Sequence, residues 1–344
     1  MSLVGWEGVG RAIGAYESLS FANDLIVATV RGRHVRAWVM CGRRASWHAR
    51  VGSRRRDLLG QNVRMGPLIG TEKLAAMLEG PAPPVVLDVR WRLAGPPGAE
   101  SYADGHLPGA VFIDVDTELA GAPGEAGRHP LPEPARLERT LRAAGVTGHR
   151  AVVAYDDADG SVAARAWWLL RWAGHTDVAV LDGGYAAWVA EGRPVTTTVP
   201  DPPEGDVEVR PGGMPVLDAD EAARCARAGT LLDARVPERY SGDTEPVDPR
   251  AGHIPGAINA PFTAHTDARR RWREPDDLAR YFAELGVRAG APVGAYCGSG
   301  ITASAAVLAL EVAGFEQQAG LYTGSWSHWS RDPRRPAATG ERPG

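Results

Sequence analysis

Cysteine is scarce in this 344-residue sequence, which holds three, at positions 41, 225 and 297. Three at those spacings fit neither a disulfide framework nor a paired-cysteine zinc site. The expectation is therefore a reducing, cytoplasmic setting in which a lone thiol persists. Long apolar runs are missing as well: none approaches the roughly 18 residues that cross a bilayer, so no membrane partner is expected. Net charge is slight, at −4, and gives no electrostatic case for nucleic acid. The apolar and charged fractions, 44% and 23%, are those of a folded soluble chain rather than a disordered or collagen-like one. The length allows two ordinary domains.

What charge there is lies unevenly. Residues 1–64 carry eleven Arg against Glu7, Glu17, Asp24 and Asp57, which is +7 and leaves −11 for the remainder. Stretches such as "RGRHVRAW" and "VGSRRRD" show no sustained helical or strand period, and "LIVATV" is short for a signal-peptide core. Residues 1–64 read as a basic extension, either disordered or the product of a start placed too far upstream, with ordered protein beginning near Met65. A basic arm for acidic partners and an Arg-rich targeting segment are the alternatives.

A repeat organises the rest. "VVLDVR" at 85–90 returns as "TLLDAR" at 230–235, and "GHLPGAVFID" at 105–114 as "GHIPGAINAP" at 252–261. "AVVAYDD" at 151–157 returns as "PVGAYCG" at 292–298, and "GGYAAW" at 183–188 as "GSWSHW" at 324–329. Four segments in one order at nearly one offset mark a tandem duplication: 66–195, a Pro- and Gly-rich linker at 196–213, and 214–335. Within each copy short apolar runs alternate with helical patterns, which indicates an α/β class with two tandem domains, each a mainly parallel sheet flanked by helices. Asp218 and Gly229 bracket one such helix, "ADEAARCARAG".

Ligands of parallel sheets bind outside the carboxyl ends of strands, and Cys297 follows such an end in "YCGSGITAS". The loop enters a helix, whose N-terminal dipole favours an anion. Gly298 and Gly300 let the backbone fold tightly, so that several N–H groups can converge on a thiolate or a persulfide. The alternative is a small side chain buried at a strand end. Where the second copy has Cys297 the first has Asp156, in an acidic loop with Asp157 and Asp159 that can supply no sulfur nucleophile. Cys225, inside a helix, reads as packing. Asp88 with Arg90, and Asp233 with Arg235, read as structural ion pairs, and Trp167, Trp168 and Trp172 as core.

The chain resembles the tandem-domain sulfurtransferases of the rhodanese family over about residues 66–331. The features that carry the resemblance are "GHLPGA", "GHIPGA", "GSWSHW" and the loop "CGSGIT". It implies an inactive first domain, a catalytic second domain, and transfer of a sulfane sulfur through a persulfide on Cys297. Backbone N–H groups of Gly298, Ser299, Gly300, Ile301 and Thr302 would hold the persulfide. "CGSG" is closest to the 3-mercaptopyruvate sulfurtransferase branch; a dianionic donor such as thiosulfate is better met by Arg or Lys, which this loop lacks. From that branch come Arg239 and Arg250 as holders of the substrate carboxylate. Ser299 and His106 come from it as aids to proton transfer, with Glu100 or Asp104 as the acidic third member. His106 and its repeat-mate His253 could equally brace a turn. No metal or organic cofactor is implied.

The partners implied are a small sulfur donor and an acceptor that is cyanide, a thiol or a thioredoxin-like reductant; the chain is expected as a monomer or weak oligomer. The alternatives are a thiosulfate:cyanide sulfurtransferase and a non-catalytic redox-sensor or sulfur-carrier module. A cysteine phosphatase needs an arginine six positions after the cysteine, where this sequence has Ala303.

Overall fold

The computed structural model describes residues 18–22, 25–30, 33–38, 65–315 and 318–344. Met1–Asn62 and Val63–Gly344 form separate units. In the first, β1 (Ser18–Ala22), β2 (Leu25–Val30) and β3 (Arg33–Trp38) pair as an antiparallel meander. The remainder of the basic 1–64 segment, Cys41 included, lies outside the described residues.

The second unit contains the repeat twice over. In its first half β4 (Leu68–Ile69), β5 (Val85–Asp88), β6 (Ala110–Phe112), β7 (Val152–Tyr155) and β8 (Val178–Leu181) form a parallel sheet of order β4-β8-β7-β5-β6. In its second half β9 (Val216–Leu217), β10 (Thr230–Asp233), β11 (Ile258–Asn259), β12 (Val293–Tyr296) and β13 (Gly320–Tyr322) repeat that order as β9-β13-β12-β10-β11. The central runs VVLD, VVAY and TLLD are buried at every residue, as strands covered on both faces must be.

Ten helices are described in this unit: α1 (Thr71–Leu78), α2 (Gly98–Asp104), α3 (Pro134–Ala143), α4 (Ala163–Trp172) and α5 (Gly184–Ala190) in the first half, and α6 (Ala219–Ala228), α7 (Pro237–Ser241), α8 (Pro275–Glu284), α9 (Ala303–Val312) and α10 (Ser325–Trp329) in the second. Asp218 caps α6 as expected: its carboxylate accepts from Glu221 N at 2.7 Å while Glu221 accepts from Asp218 N at 2.8 Å. Helices α4 and α9 each follow a central strand and are buried almost all round, because they pack on their own sheets and on each other. One apolar core therefore runs through both domains, with Trp167 and Trp168 fully buried in it. The stretch 196–213 is docked along the first domain through Gly205 N to Arg142 O, Val207 N to Val146 O and Arg210 N to Ala173 O.

Duplication extends to the buried polar groups. Arg90 and Arg235 each pair with the aspartate two residues earlier at 2.6 Å and donate to a glycine carbonyl, Gly105 or Gly252, at 2.8 Å. Neither pair is exposed, and each makes several hydrogen bonds, which help a buried ion pair repay its desolvation.

His265 sits outside the repeat, in a 3₁₀ turn (Phe262–His265), fully buried beside Trp272, Tyr281 and Phe282. Neither ring nitrogen has a hydrogen-bond partner. Burial, helped by the charge of Arg273, pushes its pKa down to about 3. The unfolded chain thus binds a proton below pH 6.5 that the folded protein refuses until about pH 3, so stability falls as pH drops through that window. The slope reaches about 1.4 kcal/mol per pH unit for one such group. His129, His175 and His328 are also lowered and act in the same direction, whereas Asp156, pushed up to about 6 by burial, acts in the opposite one. His265→Phe should therefore flatten the acid limb of a denaturation series between pH 6.5 and 4 relative to wild type. An unchanged limb would show that His265 is not its source.

Candidate active site

β12 ends at Tyr296 and α9 starts at Ala303, so the intervening residues turn at the carboxyl edge of the second sheet. Cys297 opens that turn, with only 2% of its surface exposed. Its backbone N–H donates to Ser325 Oγ at 3.1 Å, its carbonyl accepts from Trp326 N, and Gly298 O accepts from Ser327 N. The repeated "GSW" segment is thus the clamp that holds the loop. Gly300 has φ of +84°, and a Cβ there would stand 2.7 Å from Thr323 O, so glycine is required on both counts. That conformation turns its N–H back onto Cys297 Sγ at 3.1 Å, one donor of the cradle expected from the sequence.

The first domain shows what this kind of loop does to an anion. Asp156 is buried, and its two carboxylate oxygens accept from the N–H groups of Ala158, Gly160, Val162 and Ala163 at 2.9–3.0 Å. The carboxylate occupies a nest of backbone donors at the mouth of a helix. Loop and helix start are kept in the cysteine-less copy, with a fixed anion in place of a sulfur.

A cavity of about 330 Å³ opens beside Cys297, with both loops in its wall: Cys297, Gly298 and Ser299 from one, Ala158, Asp159 and Ser161 from the other. Arg239, from α7, and Arg128, from the first domain, line it too. A Cβ on Gly298 would lie 2.8 Å from Arg128 Nη2 and 3.3 Å from Arg239 Nη1, so the two guanidiniums converge next to the cysteine. Asp248 bridges them, accepting from Arg239 Nη2 at 3.0 Å and pairing with Arg128 Nη1, while Glu245 takes Arg239 Nη2 at 2.7 Å.

Ser299 Oγ lies 2.7 Å from His129 Nδ1, and His129 Nε2 lies 2.8 Å from Asp116 Oδ1. Burial lowers the pKa of His129, opposed by Asp116 and assisted by Arg165 and Arg128, so the ring is neutral at pH 7. Because Asp116 can only accept, the proton of the neutral imidazole is assigned to Nε2. Nδ1 is then bare and accepts the Ser299 hydroxyl. Trp91 Nε1 also donates to Asp116 at 2.8 Å, with its ring edge against His129. His129 reaches the second domain because a tight Gly124–Gly127 turn precedes it and Arg128 N donates to Ser327 Oγ at 3.0 Å.

The sequence-based set is thus brought together in part. Cys297, Gly298, Ser299, Ile301, Thr302 and Arg239 line one cavity, with Gly300 bonded to the sulfur. His106 is not among them. Its Nδ1 meets Tyr102 O at 2.8 Å, its Nε2 meets Thr198 O at 3.0 Å, and its ring stacks on Tyr102 at 3.8 Å. His253 does the same with Tyr240 O, Pro343 O and the Tyr240 ring. Each histidine latches its own domain to the segment that leaves it, through an isolated bridge to Thr196 or Ala338. Glu100 and Asp104, on α2 below His106, leave the site with it. Arg250 is spent on the carboxyl-terminal segment, donating to the carbonyls of Trp329, Ser330, Asp332 and Arg335. Arg128 lines the cavity where Arg250 does not, and His129 with Asp116, rather than His106, stands beside Ser299. A signal for His129 was present: it has no histidine mate. Five residues before α3 stands His129, but five before α8 stands Arg270.

A family model described as a rhodanese-like domain matches the chain twice, at residues 70–191 and 218–332. A Pseudomonas aeruginosa protein with the provisional name 3-mercaptopyruvate sulfurtransferase is 45% identical over 80% of this chain and 98% of its own length. A Mycobacterium tuberculosis protein, SseB, provisionally named a thiosulfate sulfurtransferase, is 44% identical over 79% and 97%. The crystal structure of SseA from Escherichia coli, titled as a 3-mercaptopyruvate sulfotransferase, superposes with a TM-score of 0.68 at 29% identity, covering 76% of this chain and all of that one. With both halves matched, the same doubled fold and relatives aligned along nearly their whole lengths, the chain belongs to the tandem-domain rhodanese-like family, alongside these sulfurtransferases.

Proposed function

We propose that the protein moves a sulfane sulfur from 3-mercaptopyruvate to a thiophilic acceptor by way of a persulfide on Cys297. The observation that carries this is the pair of guanidiniums, Arg239 and Arg128, converging over Gly298. They form a seat for a carboxylate whose thiol end then faces Cys297.

In that pose the Cys297 thiolate attacks the donor sulfur, and the carbon–sulfur bond breaks with its electron pair going to carbon. The donor's thiol proton passes through Ser299 to His129 Nδ1, and Asp116 stabilises the imidazolium. The same relay then returns the proton to the methylene carbon, which leaves as the methyl group of pyruvate. Cys297 is left as a persulfide anion, facing the N–H groups of its loop. A second thiophile removes the outer sulfur, so the kinetics should be ping-pong. Cyanide, a small thiol or a thioredoxin-like protein would each serve. No helix among the described residues is long and apolar enough to cross a membrane, and a catalytic thiol is best kept in a reducing cytoplasm.

Thiosulfate is the second reading, and one observation favours it. The loop after Cys297 is neutral, but the site is not: Arg128 arrives from the other domain, so a dianion would also find two cations. The donors separate in a side-by-side assay to cyanide with Arg239→Ala and Arg128→Ala. Losing one charged hydrogen-bond partner costs about 1.5–3 kcal/mol, or roughly 10- to 150-fold in kcat/KM, carried mainly by KM. Mercaptopyruvate should be preferred by wild type and should lose this factor in both variants. A wild-type preference for thiosulfate would overturn the donor assignment and leave the persulfide in place.

A further inference from the structure

We infer that Arg165, a residue of the domain that lacks the cysteine, is the buried countercharge of the sulfur anion at Cys297. The inference rests on Cys297 being the ionised, sulfur-bearing residue of the site. Arg165 lies in α4, with no exposed surface. Its Nη1 donates to Gly300 O at 3.4 Å, and its Nη2 to Leu119 O at 3.4 Å and His129 O at 3.3 Å. These are long bonds to neutral carbonyls, and Nε has no partner. Burial lowers its pKa to about 10, so it remains a cation at neutral pH.

A buried cation normally has a carboxylate, and the other arginines around the cavity do. Arg128 has Asp248, Arg239 has Glu245 and Asp248, and Arg235 has Asp233 and Glu245. Among the described residues Arg165 forms no ion pair. The nearby carboxylates are committed: Asp116 to His129 and Trp91, Asp156 to its own loop. What remains is the sulfur. Gly300, whose carbonyl takes Arg165 Nη1, is the residue whose N–H donates to Cys297 Sγ. A single residue, Gly300, thus lies between cation and thiol, its carbonyl turned to Arg165 and its N–H to Cys297. In a dry interior such a charge is weakly screened, and it is matched only when Cys297 loses its proton or carries a persulfide. Arg165 touches no substrate. It is a positioning residue that acts through the loop, and it gives the cysteine-less domain a part in the chemistry.

The other charged and titratable groups facing the cysteine's cavity are Arg92, Arg128, Arg239, Arg235, Asp159 and, through Ser299, His129. All are retained in the test, which follows alkylation of Cys297 by iodoacetamide against pH in the full-length protein, read on the Cys297 peptide. Arg165→Gln should move the midpoint of that profile up by about one pH unit, a tenfold slower reaction on its rising limb, while Arg165→Lys restores most of the shift. A folded Arg165→Gln protein with an unmoved midpoint would overturn the proposal. If Arg165→Gln does not fold, wild type decides. Persulfide-loaded protein should melt higher than unloaded protein, and Cys297→Ser should melt lower than wild type at pH 8.5; the absence of both effects rejects the countercharge. Alkylation requires no sulfur donor, so a failed sulfur-transfer assay leaves this result standing on its own.

Discussion

Cys297→Ser should reduce sulfur transfer from either donor by at least about a thousandfold, to the background of the uncatalysed reaction. A serine hydroxyl at this position would keep the loop, the Ser325 contact and the cavity. It would not ionise near neutral pH, and it could not hold a second sulfur. The loss is therefore expected in kcat, with the donor still able to bind between Arg128 and Arg239. Cys225→Ser supplies the contrast. That thiol is buried in α6, donates to Thr230 O at 3.4 Å and is pushed up to about 11 by burial, so removing it should leave kcat unchanged. Steady-state rates for the two variants, with thermal melts to confirm folding, check both statements.

His129→Ala should cost about 10²- to 10⁴-fold in kcat, the range for a positioned acid–base group. The substitution leaves the Ser299 hydroxyl without its acceptor and Asp116 without its histidine. Because burial holds the imidazole below its ordinary 6.5, the neutral, proton-accepting form persists into mildly acid solution. Activity limited by this group should fall as pH drops through a value below 6.5, and that limb should vanish in the variant. His106→Gln should behave in the reverse sense, with kcat per folded molecule near wild type. Stability should drop by about 1–4 kcal/mol, from two buried hydrogen bonds and a stacked ring. Equal losses of kcat in the two variants would contradict the assignment of His129 and restore His106 to the site.

That pair of histidines also shows which parts of the fold and site could be read along the chain. Duplication was legible because it is written four times over, and with it came two parallel sheets of one strand order and the contrast between Asp156 and Cys297. The Cys297 loop was legible because strand, glycines and helix are contiguous. The resemblance pointed to His106, whereas the repeat, by pairing it with His253, pointed to a shared structural role. A residue present in both copies serves what both copies share, here the latching of each domain to its outgoing segment. A group proposed to act at one cavity needs no mate, which describes His129 and Asp116.

The approach of these residues to the cavity was illegible for a physical reason. They act across the domain interface, where α4 packs on α9 and the 124–129 turn meets Ser327, and no local period encodes that approach. Arg250 was a candidate through the resemblance, but four carbonyls of the carboxyl-terminal segment take its donors. The neutral loop likewise gave a correct reading of itself and an incomplete one of the site, because the nearest extra cation comes from the other domain.

The most direct test of the account is one turnover without an acceptor. Full-length protein mixed with one equivalent of 3-mercaptopyruvate, then quenched and digested, should carry one added sulfur atom on the Cys297 peptide and release pyruvate in equal amount. A Cys297 peptide left unmodified by both 3-mercaptopyruvate and thiosulfate, or pyruvate released with no sulfur on Cys297, would contradict it.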